Sequence, residues 1–154
     1  MTLLKSLAHN AFVLLVGFGL AFLCTRLDAL LGIRGFASLA AAGAGWVLAA
    51  IGFFIRTWAT VYFYEQHMNV IRLAPQSALI TSGPYRFSRN PLYLGGNVFI
   101  FFGAMLVLGT PSGLILTALH LIAIDRFIRR EEKQLERAFG EDWIEYRNHV
   151  RRWL

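Results

Sequence analysis

Long stretches without charge divide the sequence into apolar segments of membrane-spanning length. A helix crosses the hydrocarbon core with roughly 20 mainly apolar residues. The first two uncharged stretches each fit one helix, and the third is long enough for two helices around the turn-forming "GTPSG" at 109–113. The uncharged stretches lie between Lys5 and Arg26, between Arg34 and Arg56, and between Arg89 and Asp125. The pattern predicts an all-α integral membrane protein with four spans, at about 7–25, 36–55, 92–108 and 112–128.

The connections and flanks of these spans add detail to a single membrane domain over residues 1–154. The short turn makes spans three and four a tight helical hairpin, and the small residues of "AAAGAGWVLAAIG" in span two favour close packing against a neighbouring helix. Residues 56–70 either extend span two or cap a pocket. In the cytosolic tail 129–154, a break at Gly140 precedes a second amphipathic helix, which lies on the membrane surface or against the bundle. Its apolar stripe is Phe139, Trp143, Tyr146, Val150 and Trp153.

Composition and charge agree with a membrane protein. The hydrophobic fraction is 56% and the mean hydropathy is +0.53. The net charge of +6 is concentrated at the N-terminus, in the central loop and in the tail, which predicts cytoplasmic termini in a bacterial inner membrane and attraction to anionic lipids rather than to nucleic acid. Cys24 is the single cysteine, so no internal disulfide forms and helix packing is its expected role. The four scattered histidines lack metal-site spacing.

Span four carries ionisable residues that are costly inside a membrane. His120, Asp125 and Arg126 all fall within its length. They are expected to face the bundle interior, a water-filled cleft or the headgroup zone. Alternatively, Asp125 and Arg126 mark the helix leaving the membrane, and His120 is an ordinary packed histidine.

The first polar cluster lies in "TSGPYRFSRNPLYLGG", residues 81–96. Gly83-Pro84 favours a turn, and Pro91 suits the first position of span three, where its missing N–H costs nothing. The turn brings polar side chains to the mouth of span three, whose free N–H groups and dipole would suit an anion. These side chains are Tyr85, Arg89, Asn90 and Tyr93. The alternative is a simple interfacial anchor of arginine and tyrosine.

The second polar cluster is "DRFIRREEKQL", residues 125–135. The apolar stripe of Leu121, Ile124, Ile128, Leu135 and Phe139 would continue at 131 or 132, where both residues are glutamates. A carboxylate therefore faces inward and needs a cationic partner; the alternative is a solvated helix end with Asp125 and Arg129 paired. The hairpin returns both clusters to one membrane face. A pocket with an anion-binding mouth and inward carboxylates suits a zwitterion with extra positive charge, such as S-adenosylmethionine.

The string "LITSGPYRFSRNPLYLG", followed by a hairpin, "EE" and "FGEDWIEYRNHV", resembles the isoprenylcysteine carboxyl methyltransferase family and its phospholipid methyltransferase relatives. The resemblance covers about 50–150 and implies a membrane enzyme that uses S-adenosylmethionine, with a cytosolic cofactor pocket and a lipid-side path for the acceptor. It also implies adenosine contacts from 77–80, including Leu79 and Ile80. Arg126 and Glu131 are the candidate catalytic residues. The other cofactor-binding residues implied are Tyr85, Arg89, Asn90, Pro91, Tyr93, Glu131 and Glu132.

Two departures from the family pattern bear on the acceptor. Asn90 replaces the usual histidine, and the arginine that holds the acceptor carboxylate in eukaryotic members falls at Phe127, with Arg126 and Arg130 nearby. The expected function is methyl transfer to a lipophilic carboxylate or thiol. Phospholipid amine methylation, with a pocket glutamate or His67 as base, is one alternative. A non-catalytic membrane scaffold and a sterol-reductase-like protein are the others.

Overall fold

The computed structural model describes residues 2–66 and 78–154, and within these ranges it is built from helices. Four of the described helices are long and apolar enough to cross a membrane, which confirms the predicted fold class. Large apolar side chains such as Leu15, Phe54 and Ile115 are exposed on outer faces, as lipid contact requires. The α-helices are α1 Thr2–Leu30, α2 Leu39–Glu65, α3 Pro91–Tyr93, α4 Phe101–Leu108, α5 Pro111–Phe139 and α6 Glu141–His149, with a 3₁₀ turn at Gly83–Arg86 and a π-helix at Leu94–Ile100.

The spanning helices extend beyond the predicted apolar segments. Helix α2 begins after Ser38, whose side chain accepts a hydrogen bond from the Ala41 N–H, and it continues to Glu65, so the first part of 56–70 extends span two. The rest of that stretch, with His67, lies outside the described residues, as does Ser77. Helix α5 does not end near residue 128 but continues to Phe139. Both glutamates therefore lie on the same helix as span four.

The third span, Pro91–Leu108, combines α3, the π-helix and α4. Pro91 occupies the first turn, as predicted. Arg56 on α2 donates from Nη1 to the Leu92 carbonyl oxygen at 2.7 Å, immediately before the π-helix begins. A carbonyl that accepts from a side chain is less available to the helical ladder, and such insertions widen or kink a helix.

Small residues let α2 pack closely against the third span, which confirms the prediction from "AAAGAGWVLAAIG". A Cβ added at Gly45 would lie 2.5 Å from the Gly103 carbonyl oxygen, and one added at Gly52 would lie 2.5 Å from that of Gly95. In the other direction, a Cβ added at Gly95 would lie 2.6 Å from the Gly52 carbonyl oxygen, and one added at Gly103 would lie 2.6 Å from that of Gly45. Two reciprocal glycine pairs therefore set the distance between the helices.

The tight hairpin between α4 and α5 is present, and α1 holds it. Gly109 ends α4 in the left-handed conformation, and Thr110 caps α5 by accepting from the Gly113 N–H. The buried Asp28 of α1 accepts from Thr110 Oγ1 at 2.5 Å and from the Ser112 N–H at 3.1 Å. Cys24 is buried one turn earlier in α1, in the packing role that was predicted.

Helix α6 folds back against the bundle, so its apolar stripe packs inward instead of lying on the membrane surface. Trp143 and Tyr146 belong to a buried cluster that also contains Phe63 of α2 and Tyr85 of the 3₁₀ turn. The Tyr146 hydroxyl donates to the Tyr85 carbonyl oxygen at 2.7 Å. This docking brings the tail onto the turn that precedes the third span.

His120 on α5 is a packed residue, as predicted for an isolated histidine. Its Nε2 lies 2.7 Å from Asn97 Oδ1, and its ring lies 5.5 Å from the ring of Phe101. Asp125 and Arg129 form the predicted i,i+4 pair, with 2.7 Å between Arg129 Nε and Asp125 Oδ2.

Candidate functional site

The two polar clusters come together around a small cavity of about 30 Å³. The 3₁₀ turn at Gly83–Arg86 supplies part of one wall. Gly83 has a φ of 59°, and a Cβ there would overlap the ring of Tyr62, so the turn needs glycine at this position. The cavity is lined by Leu79, Ile80, Tyr85, Arg89, Asn90, Glu131, Glu132, Leu135, Trp143 and Tyr146.

Glu132 is the inward carboxylate predicted from the apolar stripe of α5, and it has two arginine partners. It is 8% exposed. Arg89 Nη2 lies 3.3 Å from its Oε1, and Arg152 Nη2 lies 2.6 Å from its Oε2. Hydrogen bonding to Glu132 raises the pKa of Arg152, whereas burial lowers the pKa of Arg89 and Glu132 opposes that shift. The buried carboxylate is thus held by two cations, as burial of charge requires.

Arg89 faces the cavity with donors that no described residue satisfies. Its Nε and Nη1 are buried and have no acceptor among the described residues, and the same holds for Trp143 Nε1. The Arg89 guanidinium lies 5.6 Å from the centroid of the Trp143 ring, within cation–π range. Unpaired buried N–H groups are costly, so this end of the cavity suits a ligand that presents an anionic acceptor.

Glu131 lines the cavity and pairs with Tyr93, which is not among the lining residues. The Tyr93 hydroxyl donates to Glu131 Oε2 at 2.9 Å. The Tyr93 ring contacts Phe127 edge-on at 6.3 Å. The bond links the third span to α5 and fixes the direction of the Glu131 carboxylate.

A polar groove of about 420 Å³ adjoins the cavity, since Leu79 and Tyr146 line both. Its volume lies in the range of small-molecule sites, whereas the cavity alone does not. Burial raises the pKa of Tyr146 well above its ordinary value, so its hydroxyl remains a donor. The other groove residues are Thr81, Asp142, Glu145 and His149.

A second groove of about 790 Å³ lies between the third span and the part of α5 that precedes the two glutamates. Its walls are mainly aliphatic, and one end is polar. The lining residues are Leu94, Val98, Leu121, Ile122, Asp125, Arg126, Arg129 and Trp153. Arg126 is exposed, and no described residue forms an ion pair with it. The structure therefore places Arg126 in this aliphatic groove and not at the cavity.

The structure departs from two predictions about the start of the third span, which concern Pro91 and the backbone N–H groups. Pro91 is buried at the start of α3 and positions Tyr93 without lining the cavity. The N–H groups expected to hold an anion are partly used, because Arg89 donates to the Arg151 carbonyl oxygen and Asn90 donates to Ser88 Oγ. The Arg89 guanidinium is the better anion site.

Sequence reasoning missed Arg152 and Trp143 as site residues. The sequence pattern indicates only that Trp143 belongs to an amphipathic stripe and that Arg152 is one of many charges in the tail. One signal was available: an inward carboxylate requires cations, and Arg152 lies between two members of the stripe, Val150 and Trp153.

Comparisons with known proteins identify the family of this chain. A family model described as phospholipid methyltransferase matches residues 40–142. A protein-S-isoprenylcysteine O-methyltransferase of Saccharomyces cerevisiae is 33% identical over 112 residues, which are 69% of this chain and 45% of that protein. The chain thus spans less than half the length of that relative. The family match includes every predicted site residue and covers more than half of the chain. The chain therefore belongs to the phospholipid methyltransferase family, whose members are membrane methyltransferases that use S-adenosylmethionine.

Proposed function

We propose that this protein transfers a methyl group from S-adenosylmethionine to a lipophilic acceptor at the membrane. The observation that carries the proposal is the set of buried donors on Arg89 and Trp143 that no described residue satisfies. Arg89 and Trp143 line the cavity, which adjoins a groove of about 420 Å³. A carboxylate is the natural acceptor for a guanidinium, and the methionine part of the cofactor carries one.

The residues present fit the remaining parts of the cofactor. Leu79, which lines both the groove and the cavity, and Ile80, which lines the cavity, offer apolar contacts for the adenosine part. Glu131, directed by Tyr93, suits the cofactor's ammonium group. When bound, S-adenosylmethionine supplies a methyl carbon activated by its sulfonium, so the protein contributes orientation and exclusion of water.

The groove beside Arg126 suits a lipophilic acceptor with an acidic head. Its aliphatic walls match a hydrocarbon chain, and Arg126 is a cation at one end. A carboxylate or thiolate acceptor needs no strong base for methyl transfer. We therefore favour a lipophilic carboxylate or thiol over other acceptors.

Phospholipid amine methylation is the second candidate, and the description of the matching family favours it. A phospholipid would place its phosphate near Arg126 and its chains along the aliphatic wall. The amine must lose a proton before attack, and Glu131 is a carboxylate that lines the cavity and could accept it.

Calorimetric titration with S-adenosylhomocysteine tests the cofactor site. Removing a charge-assisted hydrogen bond costs about 1.5–3 kcal/mol, so Arg89→Gln is expected to weaken binding by roughly tenfold or more. Trp143→Phe is expected to weaken it less, because Trp143 contributes one neutral donor. Arg86→Gln is the control, since Arg86 is an exposed arginine on the same turn. Folded wild-type protein without binding would overturn the proposal and favour a non-catalytic scaffold.

A methylation assay then identifies the acceptor class. Labelled S-adenosylmethionine is offered with a long-chain carboxylate, a prenyl thiol or phosphatidylethanolamine. Arg126→Gln should raise the KM for an acidic acceptor. Arg130→Gln should not, because Arg130 is exposed on the same helix outside the groove. Methylation of phosphatidylethanolamine alone would select the second candidate.

We also propose that the cavity faces the cytoplasm. Exposed cations crowd the end of α5 beyond the second groove, and Lys and Arg accumulate on cytoplasmic segments. A reporter fused after residue 154 and assayed on both sides of a bacterial inner membrane tests this orientation. A reporter active only on the outer side would overturn it.

A further inference from the structure

Residues 150–154 connect the two sites: Trp153 lines the aliphatic groove, and Arg152 bonds to Glu132, which lines the cavity. The backbone of this segment is fixed to the start of the third span. The Arg151 carbonyl oxygen accepts from the Arg89 N–H at 2.9 Å. The Arg152 carbonyl oxygen accepts from Ser88 Oγ and from Asn90 Nδ2, both at 3.2 Å. Its side chains therefore lie in fixed positions between the two sites.

The Arg152 guanidinium donates hydrogen bonds to both carboxylate oxygens of Glu132. Its Nε lies 3.1 Å from both Glu132 oxygens, and its Nη2 lies 2.6 Å from Oε2. Arg89 makes a single contact with the same carboxylate, at 3.3 Å. Arg152 also reaches Asp125, which lines the aliphatic groove, with 3.5 Å between Nη1 and Oδ1.

The way in which Arg152 and Arg89 share Glu132 determines which donors of Arg89 remain for a ligand. An arginine fork pairs with a carboxylate through two parallel N–H bonds when nothing prevents it. Because Arg152 already contacts both oxygens of Glu132, Arg89 retains Nε and Nη1 as buried donors that no described residue satisfies, beside the cavity that Arg89 lines. Without Arg152, the buried Glu132 would need a replacement partner. Arg89 is the nearest described cation and would turn its fork away from the cavity.

We infer that Arg152 is a positioning residue for the cofactor site: by neutralising Glu132 it keeps two donors of Arg89 available for the anionic group of the cofactor. This inference rests on the proposed function, because it assumes that an anion binds at Arg89. It assigns a role to a residue beyond the segment that matches the family model. It also predicts that the effect of replacing Arg152 depends on the carboxylate of Glu132, which variants of the two residues can test.

A double-mutant comparison tests the inference by calorimetry with S-adenosylhomocysteine. Arg152→Gln is expected to weaken binding by about tenfold or more, since one charged hydrogen bond at Arg89 is diverted. Arg152→Lys keeps the charge without the fork and should bind with intermediate affinity. In the Glu132→Gln background the carboxylate that diverts Arg89 is absent. The double variant Arg152→Gln/Glu132→Gln should therefore bind more tightly than Arg152→Gln alone.

The control is Arg147→Gln, which breaks an exposed pair with Glu136 and should leave affinity unchanged. Thermal unfolding and gel filtration of each variant show that the fold is retained. If Arg152 only held the tail in place through its bond to Glu132, the double variant would bind no more tightly than Arg152→Gln alone, and the inference would be wrong. Wild-type affinity in Arg152→Gln would also overturn it. Absence of binding in wild-type protein would instead overturn the proposed function, and the inference with it.

Discussion

Replacing Gly52 by alanine tests whether the two glycine pairs set the distance between α2 and the third span. The added Cβ would lie 2.5 Å from the Gly95 carbonyl oxygen and 2.8 Å from Phe99 Cβ. Carbon–oxygen contacts between helices are ordinarily roughly 3.3 Å or longer, so the overlap is about 0.8 Å. Backbone and Cβ atoms cannot move aside by changing rotamer. The helices must separate, and overpacking of this kind typically costs about 1–3 kcal/mol.

The measurement is the thermal unfolding midpoint in detergent, followed by tryptophan fluorescence. The control is Gly43→Ala on the same helix, because a Cβ at Gly43 has no neighbour within 4 Å. Alanine is a better helix former than glycine by about 1 kcal/mol, so the control should be as stable as wild type or more stable. Gly52→Ala should unfold at a clearly lower temperature than both. Equal midpoints for the two variants would refute the close-packing argument.

Three further predictions concern hydrogen bonds that hold the bundle and the tail. Asp28→Ala removes the carboxylate that caps the first turn of α5 and should destabilise the protein by about 2–3 kcal/mol in thermal unfolding, with a smaller loss for Asp28→Asn. Tyr146→Phe removes the bond to the Tyr85 carbonyl and should cost about 1 kcal/mol. Because burial raises the Tyr146 pKa, its contribution should be constant below about pH 10 and fall above it, as unfolding at several pH values would show. Asn90→Leu removes a donor to the Arg152 carbonyl and should lower stability by about 1 kcal/mol, whereas Asn90→His should not.

The span count, the hairpin and the inward glutamate were predictable because each depends on a local pattern. Uncharged stretches reveal where lipid surrounds the chain, and the "GTPSG" turn is too short to do more than reverse direction. The period of the α5 stripe placed a carboxylate at 131 or 132 on the buried side. The need of that carboxylate for a cation pointed to arginine, and Arg89 is indeed one of the two partners of Glu132.

Helix lengths and the π-helix were not predictable in the same way. Hydropathy reports the thickness of the hydrocarbon layer and so gave only the apolar part of α5; the continuation to Phe139 was indicated instead by the stripe through Leu135 and Phe139 and by the break at Gly140. The π-helix begins directly after Leu92, whose carbonyl oxygen accepts from Arg56 of a different helix. No local pattern near Leu94–Ile100 encodes a contact made by a residue so distant in sequence.

The tail contacts explain how asparagine can serve at position 90. Its Nδ2 donates to the Arg152 carbonyl oxygen, so the position requires a donor directed at the tail, and a carboxamide meets that need without charge. The histidine usual in the family can present the same kind of donor in its neutral form. The exchange therefore preserves the tether between the third span and residues 150–154, and through it the position of Arg152 beside Glu132. What it removes is a titratable group at the cavity. A carboxylate or thiolate acceptor loses nothing by this, whereas an amine acceptor would have to give its proton to another group, such as Glu131.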